Sequence, residues 1–177
     1  MKIGKQILLL SLLMVTLPAL VSCSKKVEEG EAVEELIVEP LVGIGAVQFG
    51  MSKDEIIEHF GQPDKLTTRA EGTKLNYVAS KGLGFEVDSE LGMQKIQCWS
   101  ENWPTQLPFA VATFTGRTKE GIGIGSTREQ IVIAYGEPDR TSTDAKGIIQ
   151  NLDYDKVRIR FSLWQDKLIS MTLEAPK

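Results

Sequence analysis

The sequence predicts an α+β fold of two tandem helix-plus-antiparallel-sheet repeats, with the helices packed on one face of the sheet. Three observations carry that expectation. The stretch Gly50-Met-Ser-Lys-Asp-Glu-Ile-Ile-Glu-His-Phe-Gly-Gln-Pro-Asp64 returns 75 residues later, without a gap, as Gly125-Ser-Thr-Arg-Glu-Gln-Ile-Val-Ile-Ala-Tyr-Gly-Glu-Pro-Asp139. Each copy reads as a short helix with both ends marked. Each is then followed by brief apolar-alternating segments separated by turn residues, the pattern of short antiparallel strands.

In the helices, Ser52 with Glu55 and Thr127 with Gln130 fit the capping box, in which a hydroxyl and the side chain three residues on satisfy two free amides. Gly61 and Gly136 stand where a left-handed residue ends a helix, and Pro63 and Pro138 follow two positions later. Ile56, Ile57 and Phe60, like Ile131, Val132 and Tyr135, form an apolar stripe. Helices of about nine residues are marginal alone in water, so both need a sheet to pack on.

The first 22 residues read as a signal peptide: Lys2 and Lys5, then an apolar run from Ile7 to Leu17 that is too short to span a bilayer. The run closes on Leu20-Val-Ser-Cys23. Residues 23–40 follow as an acidic, flexible tether with no aromatic residue, too polar to offset the entropy of ordering. The whole chain carries 20 bases and 24 acids; losing residues 1–22 leaves 18 bases and a net charge of −6. That balance argues against nucleic acid and against electrostatic binding to anionic lipid. With Cys23 consumed, Cys98 has no disulfide partner and reads as a small buried hydrophobe.

Residues 41–99 form the first unit, 100–117 a joiner and 118–177 the second unit. Leu41 to Phe49 is a glycine-dotted strand candidate. After the first helix, Lys74–Val78, Gly82–Val87 and Gln94–Trp99 read as strands; after the second, Gln150–Tyr154, Val157–Leu163 and Lys167–Leu173 do. Leu75 and Tyr77 match Leu152 and Tyr154, and Leu83, Phe85 and Val87 match Ile159, Phe161 and Leu163. Alternation in Val157–Leu163 turns Arg158 and Arg160 to the polar face. Phe109 to Phe114 in the joiner suits either an extra strand or an extended connection.

The repeated helix motif, followed by leucine-x-tyrosine and a hairpin, resembles the SmpA/OmlA-type envelope lipoproteins. The tandem copies also resemble the fold of β-lactamase inhibitory protein. The resemblance spans Leu41 to Leu173 and rests on caps, turns and core positions, so it speaks to fold more than to function. Leu20-Val-Ser-Cys23 resembles the bacterial lipobox, which implies acylation of Cys23 and membrane attachment through the lipid. By the same sorting rules, Ser24 implies the outer membrane facing the periplasm, or the cell-membrane exterior if the cell is Gram-positive.

No constellation for catalysis is visible. His59 is the single histidine and has no nucleophile or ligand set at suitable spacing. Gly121-x-Gly-x-Gly125-Ser-Thr127 lacks the lysine of a phosphate loop. Asp64 and Asp139 read most simply as Asx-turn formers, with a shared rim for a ligand as the alternative. We expect no enzyme, no cofactor and no metal. Trp99, Trp103 and Trp164 suit either an interface or partial burial. With Arg158 and Arg160 they are the candidate partner-binding residues. The leading expectation is a lipid-anchored, non-catalytic protein-binding module, an envelope assembly accessory or an inhibitor. A small-ligand-binding or sensing lipoprotein is the alternative, and a hydrolase ranks last.

Overall fold

The computed structural model describes residues 36–177, so the signal peptide, Cys23 and the tether as far as residue 35 lie outside the described residues. In chain order the elements are β1 (Ile37–Glu39), β2 (Gly43–Ile44), β3 (Val47–Gln48), α1 (Lys53–Phe60), β4 (Lys65–Arg69), β5 (Gly72–Tyr77), α2 (Val78–Lys81) and β6 (Leu83–Asp88). Then follow β7 (Gly92–Trp99), β8 (Arg117–Thr118), α3 (Arg128–Tyr135), β9 (Arg140–Thr143), β10 (Gln150–Tyr154), β11 (Ile159–Trp164) and β12 (Lys167–Glu174).

This corrects the expected fold class. The fold is mostly β, not α+β, and it is not two helix-plus-sheet repeats in tandem. The described residues form one eight-stranded sheet, ordered β4-β5-β6-β7-β12-β11-β10-β9, and a four-stranded sheet, ordered β3-β2-β1-β8. The halves fuse where β7 pairs antiparallel with β12, setting Cys98 against Met171 and Ile96 against Leu173. The helices are minor elements of eight, four and eight residues.

Their physical reason for forming is nonetheless the one the residues announce. The Ser52 and Thr127 hydroxyls accept from the amides of Glu55 and Gln130, and the Glu55 and Gln130 side chains accept from the cap amides at 2.8 Å. The helix stops differ from expectation. Gly61 (φ 75°, ψ −170°) and Gly136 (φ 81°, ψ −169°) take a region that only glycine populates readily, not the left-handed helical one. Each carbonyl there accepts a tyrosine hydroxyl: Tyr77 to Gly61 at 2.7 Å and Tyr154 to Gly136 at 2.9 Å.

Alternation along the large sheet sends Leu75, Tyr77, Leu83, Phe85, Ile96, Cys98, Leu152, Tyr154, Phe161 and Met171 to one face, where all are buried. Ile56 and Ile131 from the helices join the same core, as do Val38, Ile44 and Val47 from the small sheet. The core is therefore sealed between the eight-stranded sheet on one side and α1, α3 and the small sheet on the other.

Several strand boundaries move. β1 lies inside the span read as tether, with Val38 fully buried. The expected strand at Leu41–Phe49 is two dipeptide strands and a turn. β4 and β9 are edge strands of mostly polar, exposed residues, Leu66 apart, that carry no apolar alternation. β11 begins at Ile159, so Val157 and Arg158 belong to a turn, with Arg158 at φ 52°. The run Phe109–Phe114 forms no strand.

Candidate functional site

The face of the large sheet away from the core has two different ends. Over β4–β7 it carries Lys65, Asn76, Gly84 and Trp99; over β9–β12 it carries Arg140, Asp153, Arg160 and Thr172.

At the first end Trp99 lies across Gly84. A Cβ placed on Gly84 would stand 3.0 Å from two atoms of the Trp99 six-membered ring, so the missing side chain is what lets the indole lie on the sheet. The joiner then closes over this spot. The Ala112 amide donates to the Val78 carbonyl and the Phe114 amide to the Trp99 carbonyl, each at 2.8 Å. The Glu101 amide donates to the Thr113 hydroxyl at 3.1 Å, pinning the base of a loop over residues 101–113. Between loop and sheet is a groove of about 380 Å³, lined by Trp99, Trp103, Leu107, Phe109 and Val111, with Asp64, Lys65 and Asn76 at the rim. Phe109 is 59% exposed, an unusual position for a phenylalanine.

At the second end is a hollow of about 410 Å³ with ionic walls. Arg160 donates to Asp153 at 2.6 Å, Arg140 to Asp155 at 2.8 Å, and Arg158 to Glu174 at 2.9 Å. Arg160 points outward as expected. Arg158 does not stand free: it lies in the turn before β11 at φ 52°, and its side chain is 23% exposed and paired with Glu174. Nearer the middle of this face, Lys74 and Lys95 both pair with Glu86, at 2.6 and 3.6 Å.

The structure brings two of the five candidate partner-binding residues into one site. Trp99 and Trp103 share the groove, Arg158 and Arg160 line the ionic hollow, and Trp164 is half-buried at the β11–β12 turn without lining either. Sequence reasoning missed Lys65, Asn76, Leu107, Phe109 and Val111. The available signal was proline: Pro104 and Pro108 bracket Leu107, and proline cannot serve a central strand, so the apolar residues beside them had to lie in a loop.

Other readings resolve simply. Cys98 is fully buried, and burial pushes its thiol far up, so it is inert at neutral pH. Asp64 and Asp139 are not local turn formers; their carboxylates accept the amides of Ser80 at 3.0 Å and Asp155 at 2.8 Å, both 16 residues away. His59 is exposed on α1. Among the described residues no group of three His, Cys, Asp or Glu side chains could hold a metal ion, and no helix is long and apolar enough to cross a membrane.

An eight-stranded sheet bearing a loop-walled apolar groove on its outer face is thus the class that fold and site define. No family model and no curated protein matches the chain. Among solved structures it resembles a DUF4309 family protein, YjgB, from Bacillus subtilis subsp. subtilis strain 168, at 16% identity and a TM-score of 0.44, covering 71% of this chain and 78% of that one. It also resembles an extracellular protein containing an SCP domain from Bacillus anthracis strain Ames, at 12% identity and a TM-score of 0.43, covering 72% of this chain and 44% of that one. Likenesses this loose carry no argument about fold or function.

Proposed function

We propose that the chain is a lipid-anchored, extracytoplasmic protein-binding module without catalytic activity, acting as an envelope assembly accessory or an inhibitor. The anchoring half of this reading rests on Leu20-Val-Ser-Cys23 and on the resemblance to SmpA/OmlA-type lipoproteins. The binding half is carried by one observation: the groove lined by Trp99, Trp103 and Phe109. A concave apolar patch with aromatic walls and a polar rim is the usual form of an interaction centre, and tryptophan is enriched among residues that dominate binding energy. Its volume also falls in the lower part of the range for small-ligand pockets, roughly 300–1,000 Å³, which keeps a small ligand as the second reading.

Photo-crosslinking in intact cells tests the proposal. A photoreactive residue at Phe109 should give a discrete adduct in the membrane fraction, and one at exposed Lys146, far along the chain, should not. In Cys23→Ser cells the chain that has formed no adduct should leave that fraction. Identical adducts from both positions, or none from Phe109, would overturn the binding reading; an unchanged fraction in Cys23→Ser cells would overturn the anchor.

A further inference from the structure

We propose that the groove takes a single uncharged apolar residue from an extended partner segment, and that the rim bonds that segment's peptide groups. This deepens the protein-binding reading and rests on it.

The walls decide the first half. Apart from the two indole N–H groups, the side chains of Trp99, Trp103, Leu107, Phe109 and Val111 are apolar, so a charged group entering there would lose its hydration with little compensation. The rim does not reverse this. Lys65 and Asp64 bring one charge of each sign, and the Asp64 carboxylate accepts the Ser80 amide. Neither an anionic nor a cationic occupant is favoured. A neutral one with both donors and acceptors is, because the rim presents an ammonium, a carboxylate oxygen and the Asn76 amide together.

The sheet decides the second half. Lys65, at the rim, is the first residue of β4, and among the described residues β4 is an edge strand with β5 as its one neighbour. Sheet edges generally offer their amides and carbonyls to another strand. A segment laid along β4 would have its peptide groups satisfied at that edge, with Lys65 beside it, while one of its side chains turns across Lys65 into the groove. The opposite edge, β9, borders the ionic hollow instead, where Arg140 pairs with Asp155.

The test uses three probes of one shape and different charge: N-acetylphenylalaninamide (neutral), N-acetylphenylalanine (anionic) and phenylalaninamide (cationic). The full chain, labelled with 5-fluorotryptophan and held in lipid nanodiscs, gives one ¹⁹F resonance for each of its three tryptophans, assigned by single Trp→Phe changes. The neutral probe should shift Trp99 and Trp103 saturably and leave Trp164 unmoved. Each charged probe should bind about threefold or more weakly, the scale of a partly exposed charge interaction. Lys65→Gln should move the preference toward the cation and Asp64→Asn toward the anion, a reversal that a purely structural role would not produce. Tighter binding of either charged probe, equal shifts at Trp164, or no saturable shift would overturn the proposal. If the Phe109 crosslink is discrete while the probes fail, protein binding stands and this occupant is wrong. If the crosslink fails while the neutral probe binds, the groove serves a small ligand instead.

Discussion

On the inner face of the large sheet, Phe60, Tyr77 and Phe85 pack with ring centroids 5.3–6.0 Å apart, and Tyr135, Tyr154 and Phe161 pack 5.2–5.8 Å apart in the other half. Even the angles correspond: Tyr77 on Phe85 at 80° and Tyr154 on Phe161 at 76°. On the outer face the same two halves part. Both carry ion pairs, Lys74 and Lys95 on Glu86 in the first and three arginine–carboxylate pairs in the second, but the first also carries the apolar groove. The inner clusters are held alike because each depends on one helix end, one tyrosine bond and one strand register, and a change in any of them would open a cavity. The outer residues face solvent, where substitution costs little, so the two halves were free to diverge there. Function is therefore to be sought where the halves differ.

The largest expected effect tests the similarity. Phe85→Ala and Phe161→Ala should each destabilise the fold by about 3–5 kcal/mol, since each removes a buried aromatic from an equivalent cluster. Chemical denaturation followed by tryptophan fluorescence would measure both. Costs that differ by more than about 2 kcal/mol would mean that one cluster can collapse around the loss and the other cannot, breaking the inner-face correspondence.

The inner face is also where the sequence was most legible. Caps, the leucine-x-tyrosine pairs and the buried sides of β6 and β11 are local patterns, and local patterns are read directly. The fold class was not legible, because whether two units keep separate sheets or share one depends on the β7–β12 pairing, which joins residues some 75 positions apart. Edge strands β4 and β9 were invisible because edge residues need no apolar alternation. Trp99 and Trp103 could be singled out as residues, but the groove could not. It exists because Gly84 lacks a side chain and because the Glu101–Thr113 and Ala112–Val78 bonds fold the joiner back. Arg158 failed for a similar reason: a left-handed turn residue broke the alternation that had placed it outward.

A smaller effect sharpens the comparison. Tyr77→Phe and Tyr154→Phe each delete a hydroxyl bond to a helix-ending glycine carbonyl and should cost about 1 kcal/mol at neutral pH. The halves should then part at high pH. Burial, and next the Asp64 charge, raise the Tyr77 phenol above its ordinary value near 10.0; burial, and next Glu137, raise Tyr154. Burial, and next the bond to Glu120, also raise Tyr135, which occupies the place of Phe60 in the first half. A phenol raised in the folded state contributes stability that is complete below the unfolded value and lost as pH rises through the folded one. Stability should therefore fall above pH 10, and Tyr135→Phe should flatten that fall, a change for which Phe60, at the same place in the first half, has no counterpart. An alkaline profile identical in wild type and Tyr135→Phe would show that the second half has no extra titrating phenol.

The smallest effect on stability should come from Gly84→Ala, and it tests the outer face alone. Two changes oppose each other. Replacing a strand glycine removes backbone freedom from the unfolded chain, a gain of about 0.4–1 kcal/mol where the conformation allows it. Against that, the new methyl would stand 3.0 Å from the Trp99 ring and 3.6 Å from the Leu75 carbonyl oxygen, so the indole must lift by a few tenths of an ångström. Trp99 is only half-buried and its loop is fastened by single hydrogen bonds, so the ring has room to give. The net change in stability should stay within about 0.5 kcal/mol. The groove, in contrast, should respond: the Trp99 ¹⁹F resonance should move, that of Trp164 should not, and affinity for N-acetylphenylalaninamide should drop. The corresponding outer position in the second half is Arg160, whose replacement by lysine should leave the Trp99 resonance and probe binding as they are. If Gly84→Ala leaves probe binding untouched, the indole's seat on the sheet does not shape the groove, and the difference between the two outer faces lies in the joiner alone.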